Sequence, residues 1–217
     1  MRLAILLCWI SFPTLILAQN QTPFVLVLGI TQDGGYPHIG CHKSCCSRAI
    51  NNDSLKQNVV ALALADPLQK KWWLFEATPD ITNQLQLFQK LTNKQYSYLP
   101  DGIFLTHAHI GHYTGLMYLG HEALNPKNVS VYAMPKMSTF LKSNGPWSQL
   151  ISLNNIQVKP IVGDQEERLS GNISVTPFTV PHRDEFSETV GYKINTGIKR
   201  YLFIPDIDKW GKWNKNS

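Results

Sequence analysis

Apolar residues come along this chain in short blocks separated by polar turns, and one stretch carries a clear helical period. Phe24-Val25-Leu26-Val27-Leu28-Gly29 is a continuous apolar run closed by glycine, which predicts a buried strand. Val59–Ala65 and Trp72–Ala77 predict two more, and Asp66-Pro67 between them predicts a hairpin turn. In ATPDITNQLQLFQKL, Ile81, Leu85, Phe88 and Leu91 fall on one helical face. Thr78 suits the cap of that helix, Pro79 its first position and Asp80 its positive end. Ile103-Phe104-Leu105 predicts another buried strand, a helix begins around Gly115–Leu119, Val129–Ala133 reads as a strand, and Pro135 opens a helix through Leu141. Strands are then expected at Leu150–Leu153, Ile156–Ile161, Ile173–Val180, Thr189–Ile194 and Tyr201–Ile204. Strands with helices between them, followed by a run of strands, fit a layered α/β or α+β domain built on two sheets.

One apolar stretch stands apart. Met1-Arg2 is a short positive segment, Leu3 to Leu17 is almost wholly apolar, and the small residue Ala18 precedes polar Gln19-Asn20-Gln21. Residues 1–18 read as a secretory signal peptide, with an uncleaved anchor as the alternative. The expectation is a secreted or periplasmic domain over residues 19–217, with no membrane attachment after cleavage.

Composition supports a globule: 43% of residues are hydrophobic and 16% charged. The formal net charge is +5, but lysines and arginines are scattered. Nucleic-acid binding needs a clustered basic face, so it is not expected. The expected partner is a small-molecule substrate, and the oligomeric state is not legible.

Cysteine is concentrated. Apart from Cys8, every cysteine lies in GCHKSCCSR, as Cys41, Cys45 and Cys46, with His42 among them. Thiolates and an imidazole suit a tetrahedral metal site; one disulfide plus a free thiol is the other arrangement an exported protein would allow.

The densest chemistry is FLTHAHIGHYTG. His107, His109 and His112 lie within six residues, directly after a buried strand. Zinc is bound by several neutral imidazoles with one position left open for catalysis. In an extended segment, residues two apart point the same way, so His107 and His109 can grip one ion. His112, three residues on at the start of a turn or helix, would face a second.

This segment resembles the metal loop of the metallo-β-lactamase superfamily, usually HxHxDH. DGGYPHIGC, WLFEATPDI, HAHIGHYTGL, VPHRDEFSETVGYKI and LFIPDIDKW extend the likeness to the subgroup of the pyrroloquinoline-quinone biosynthesis B protein, from about Phe24 to Trp210. The resemblance implies an αββα sandwich of two mixed β-sheets flanked by helices. It further implies that this sequence is incomplete at its C-terminal end, because the family continues into a strand and helix with a last metal-binding histidine. By the same resemblance His107, His109 and His182 would bind a first metal, His112 would serve a second, and Asp206 would bridge the two. Zn2+ is the implied ion, one or two per chain, with Fe or Mn as alternatives. Gly111 stands where the motif has its aspartate, and Asp33, after the first strand, is the carboxylate that could fold back to replace it; Asp33 and Asp206 are the expected catalytic carboxylates. Several relatives hold a structural zinc by cysteines after the first strand, which here would be Cys41, Cys45 and Cys46 with His42 or His38, although CxxxCC departs from the commoner CxCxxC. The implied activity is hydrolysis of an ester, amide or phosphoester by metal-activated water. An oxidative step in quinone-cofactor synthesis and a non-catalytic metal-binding role are the alternatives.

Overall fold

The computed structural model describes residues 21–213. The expected signal peptide lies outside these residues. Among them, no helix is long and apolar enough to cross a membrane.

The first strand, β1 (Phe24–Gly29), pairs antiparallel with β2 (Ala61–Asp66), and β2 makes the expected hairpin with β3 (Lys71–Phe75). Between β1 and β2 lies the cysteine segment, part of which forms α1 (Ser44–Ile50), a helix not expected from sequence. Only Cys46 and Ala49 of it are buried, too few apolar positions to set a period. After α2 (Ile81–Leu91) the chain adds β4 (Gly102–Phe104) parallel to β3. The short helix α3 (Ile110–Tyr113) and a 3-10 segment (Thr114–Leu119) follow, then β5 (Val129–Ala133) and α4 (Pro135–Ser143). α5 (Trp147–Ser152) leads to β6 (Ile156–Pro160), and β5 and β6 extend the sheet in parallel. The result is one six-stranded sheet in the order β1-β2-β3-β4-β5-β6.

A second sheet is built from β7 (Glu167–Ser170), β8 (Ile173–Thr179), β9 (Val190–Asn195) and β10 (Arg200–Phe203), antiparallel throughout in the order β10-β9-β8-β7. The strand period sorts side chains between two cores. Ala63, Ala65, Trp72, Leu74 and Ile103 face helices α2, α4 and α5, where they meet Phe88, Met137, Leu141 and Leu150. Their neighbours Leu64, Trp73, Phe75 and Phe104 face the second sheet and pack on Val175, Val190, Tyr192 and Phe203. Phe104 stacks on Phe75 at 5.0 Å and on Tyr132 at 4.3 Å. This gives three layers, helices on sheet on sheet, and the far face of the second sheet is covered at Phe178 by Trp213, stacked at 5.5 Å. It is a metallo-β-lactamase type of sandwich, as the resemblance implies, but among the described residues only the first sheet is mixed and only that sheet is covered by helices; the second is wholly antiparallel.

Four local expectations need correction. Leu150–Leu153 is not a strand: Trp147–Ser152 is helical, and Leu150 alone of that helix is buried. An apolar run that short carries no period of its own, and the left-handed Asn154 ends it before β6. α2 begins at Ile81 rather than at Pro79, while the Thr78 hydroxyl accepts from Asp80 N–H at 3.1 Å, as expected of a capping residue. Asp80 accepts from the backbone of Val59 (2.8 Å), and the Thr78 hydroxyl donates to Gln84 (2.8 Å). Leu91 is about half exposed, and the inward face of α2 is completed instead by the polar Gln84, whose amide donates to Val59 O. β7 was not expected; its four residues, Glu-Arg-Leu-Ser, form a charged edge strand with a single large apolar residue.

Candidate metal centre

The two sheets meet where β4 ends. Leu105 N–H donates to Tyr132 O of the first sheet, while Val190 N–H of the second donates to Thr106 O. Tyr192 Oη donates to Leu105 O, and Ala108 N–H donates to Ser187 Oγ at 2.8 Å. The histidine loop is therefore held from both sheets before any side chain is considered.

His107 Nε2 and His109 Nδ1 lie 2.9 Å apart, and His182 Nε2, from the turn after β8, is 3.2 Å from His109 Nδ1. Asp206 Oδ2, from the turn after β10, is 3.5 Å from His107 Nε2 and 3.6 Å from His182 Nε2. A tetrahedral shell at 2.0–2.1 Å has donor atoms about 3.3–3.4 Å apart. The four distances, 2.9–3.6 Å, bracket that value, so the residues expected at a first metal come together from three separate segments.

Their outer nitrogens are occupied. His107 Nδ1 meets Thr106 Oγ1 at 2.9 Å, His109 Nε2 meets Glu185 Oε2 at 2.8 Å, and His182 Nδ1 meets Asp208 Oδ1 at 3.0 Å. Such partners fix each ring's tautomer and leave the inner nitrogen free to bind an ion. Burial lowers the pKa of His107 to about 4, so it is neutral and ready to coordinate at neutral pH. The His107 and His112 rings beside it hold the carboxyl of Asp206 well below the usual range.

His112 turns the other way, as its place in α3 requires. Its Nε2 is 3.2 Å from Asp206 Oδ2 and 3.2 Å from Asp33 Oδ1. That nitrogen is buried and makes no hydrogen bond. Behind it, Nδ1 lies 3.2 Å from Oε2 of Glu76, which is wholly buried just past β3. Burial opposes the charge on His112, but Glu76, Asp206 and Asp33 outweigh it and push its pKa up to about 12. Glu76 has φ +79°, a left-handed conformation costly for a residue with a side chain. Asp206 thus belongs to two donor groups, one with His107, His109 and His182, the other with His112 and Asp33.

Glu76, Thr106, Glu185, Ser187 and Asp208 join the site without having been expected there from sequence. The signal for Glu76 was present, since an acid directly after the apolar strand KWWLF is out of place in a core. The others are short-range polar residues with nothing to mark them. The centre opens into a cleft of about 370 Å³ that also exposes Gln32, His38 and Arg183.

The cysteines form a separate group. The Sγ atoms of Cys41, Cys45 and Cys46 lie within 4.8 Å of one another, and all three are free thiols. His42 is exposed and does not belong to the group, and His38 turns Nδ1 to Ile39 O, so neither supplies a fourth ligand here.

A sandwich with its donors gathered at the strand ends defines a class, and the sequence matches it: the chain belongs to the beta-lactamase superfamily domain family, over residues 71–214. Within that superfamily it is PqqB-like. It is 26% identical over 197 residues to the coenzyme PQQ synthesis protein B of Methylorubrum populi, covering 83% of this chain and 64% of that protein. The protein of the same name from Bradyrhizobium diazoefficiens is 28% identical over 168 residues, covering 72% and 52%. The crystal structure of Zn(2+)-bound PqqB from Methylobacterium extorquens superposes with a TM-score of 0.69 at 26% identity, covering 84% of this chain and 65% of that one. A diphosphatase of the PhnP family shares the fold, with a TM-score of 0.59 at 22% identity over 79% of this chain and 61% of that one. The chain thus spans somewhat under two thirds of the length of these relatives.

Proposed function

We propose that this chain carries a metal-dependent hydrolytic centre in which His107, His109 and His182 hold a divalent ion, with zinc the first candidate. The observation that carries the reading is the set of outer partners. Thr106, Glu185 and Asp208 each take the outward nitrogen of one histidine, so the three inward nitrogens converge on one point. The zinc-bound relative supports the choice of ion. A bound zinc would polarise a carbonyl or phosphoryl oxygen and lower the pKa of a water from 15.7 to about 7. Asp206 Oδ2, beside both His107 and His112, is the group that would orient the attacking water. Glu185 holds the His109 ring, and Asp208 the His182 ring, through the reaction. The open cleft suits a small ester, amide or phosphoester rather than a polymer.

The names of the curated relatives favour a second reading, an oxidative step in quinone-cofactor synthesis, with iron in the same histidine and carboxylate set. Purified protein loaded in turn with zinc, iron and manganese, and assayed with generic ester and phosphodiester substrates, separates the readings. Hydrolysis with zinc that His107→Ala abolishes supports the first. Oxygen consumption that requires iron supports the second. Metal retained with no turnover under any loading supports a binding protein.

A further inference from the structure

The histidine motif has Gly111 between His109 and His112, and the structure contains a carboxylate in the space that a side chain at 111 would occupy. A Cβ built on Gly111 would lie 2.4 Å from Cγ of Asp33 and 2.5 Å from its Oδ1. Residues 33 and 111 therefore compete for one volume: a carboxylate can enter it from either backbone but not from both. The occupant is Asp33, and its Oδ1 is 3.2 Å from His112 Nε2.

The loop that brings it there is fixed at both ends. Thr31 bridges Val59 and Tyr36 bridges Gln57. Gly35 N–H donates to Gln32 O at 2.8 Å, and Tyr36 Oη donates to the backbone of Cys45 at 2.7 Å. Facing Asp33 is a fully buried imidazole whose Nε2 has no hydrogen bond. A buried nitrogen left this way, with Asp33 and Asp206 oxygens beside it, is a donor set waiting for a cation.

We propose that Asp33, carried in from the loop after β1, is a metal ligand that replaces the carboxylate missing at Gly111, and with His112 and Asp206 it forms a second cation site beside the first. The proposal rests on the histidine reading above and names the ligand which that reading leaves unassigned.

The test is Mn2+ binding to the full chain, followed by the loss of the free-ion EPR signal. Manganese is used because it prefers oxygen and imidazole to the thiolates of Cys41, Cys45 and Cys46. The wild type binds two ions. Asp33→Ala and Asp33→Asn keep one ion at wild-type affinity and bind the second at least ~100-fold more weakly. Asp33→Gly combined with Gly111→Asp regains the second ion to within ~10-fold: removing Cβ of residue 33, which lies 2.8 Å from a Cβ at 111, lets the carboxylate enter the same space from the other backbone. Two ions bound unchanged by Asp33→Ala and Asp33→Asn overturn the proposal, and so does a double variant no tighter than Asp33→Ala. A wild type that binds a single ion overturns Asp33 as a ligand and leaves the histidine site standing. A wild type that binds none overturns both.

Discussion

The carboxylate of Glu76 lies 3.2 Å from Nδ1 of His112, and neither side chain is exposed. A buried acid on the far side of a histidine ring orients the ring and raises its basicity towards an ion. Glu76→Gln keeps the shape and removes the charge. It is expected to weaken the ion bound at His112 by ~10–100-fold while the ion at His107, His109 and His182 is unaffected. Glu76→Ala leaves His112 without its buried partner, and a loss of about 3–5 kcal/mol is expected in urea denaturation.

The two histidines with displaced pKa values set the pH dependence of the metal-stripped protein. His107 falls from 6.5 to about 4 on folding, so its contribution is present above pH 6.5 and is lost as pH drops towards 4. His112 rises from 6.5 to about 12, so its contribution is complete below pH 6.5 and is lost as pH climbs towards 12. Thermal melting of the stripped chain is expected to be highest near pH 6.5 and to decline on both sides. A melting temperature that keeps rising from pH 6.5 to 9 would count against the charged cluster around His112.

Ser187 touches no expected ligand, yet its hydroxyl ties the two histidine-bearing segments together. It accepts from Ala108 N–H at 2.8 Å and donates to Glu188 O at 3.0 Å. Ser187→Ala is expected to lower zinc affinity at the first site by about 10-fold through loss of this positioning. Isothermal titration with zinc reads the change, and circular dichroism checks that the fold is retained.

Phe104 ends the strand that delivers the histidine loop and is fully buried between Phe75, Tyr132 and Tyr192. Phe104→Ala is expected to cost about 3–5 kcal/mol in denaturant unfolding. Histidine-loop affinity should fall with it, since the cavity opens directly beneath Leu105 and Thr106.

The strands were legible wherever an apolar run was unbroken, as in GIF, which is buried throughout, and in FVLVLG, an edge strand buried only at Leu28 and Gly29 and not along its length as expected, or where a turn marked the hairpin at Asp66-Pro67. The helix Trp147–Ser152 and the edge strand Glu167–Ser170 were not, because one buries a single side chain and the other alternates charge with one leucine. The ligand histidines could be read because three sit together. Asp33 was only a possibility, since its role depends on a loop folding across to Gly111, a contact 78 positions away that local pattern does not encode. Glu185 and Asp208 were hidden for the same reason: each matters through the ring it meets in space.

The most direct test is a crystal structure of the zinc-loaded chain with anomalous data collected at the zinc edge. The account predicts an anomalous peak about 2.0–2.1 Å from His107 Nε2, His109 Nδ1 and His182 Nε2 together. Zinc confined to Cys41, Cys45 and Cys46, or a His182 ring outside the coordination shell of an ion held by His107 and His109, would contradict it.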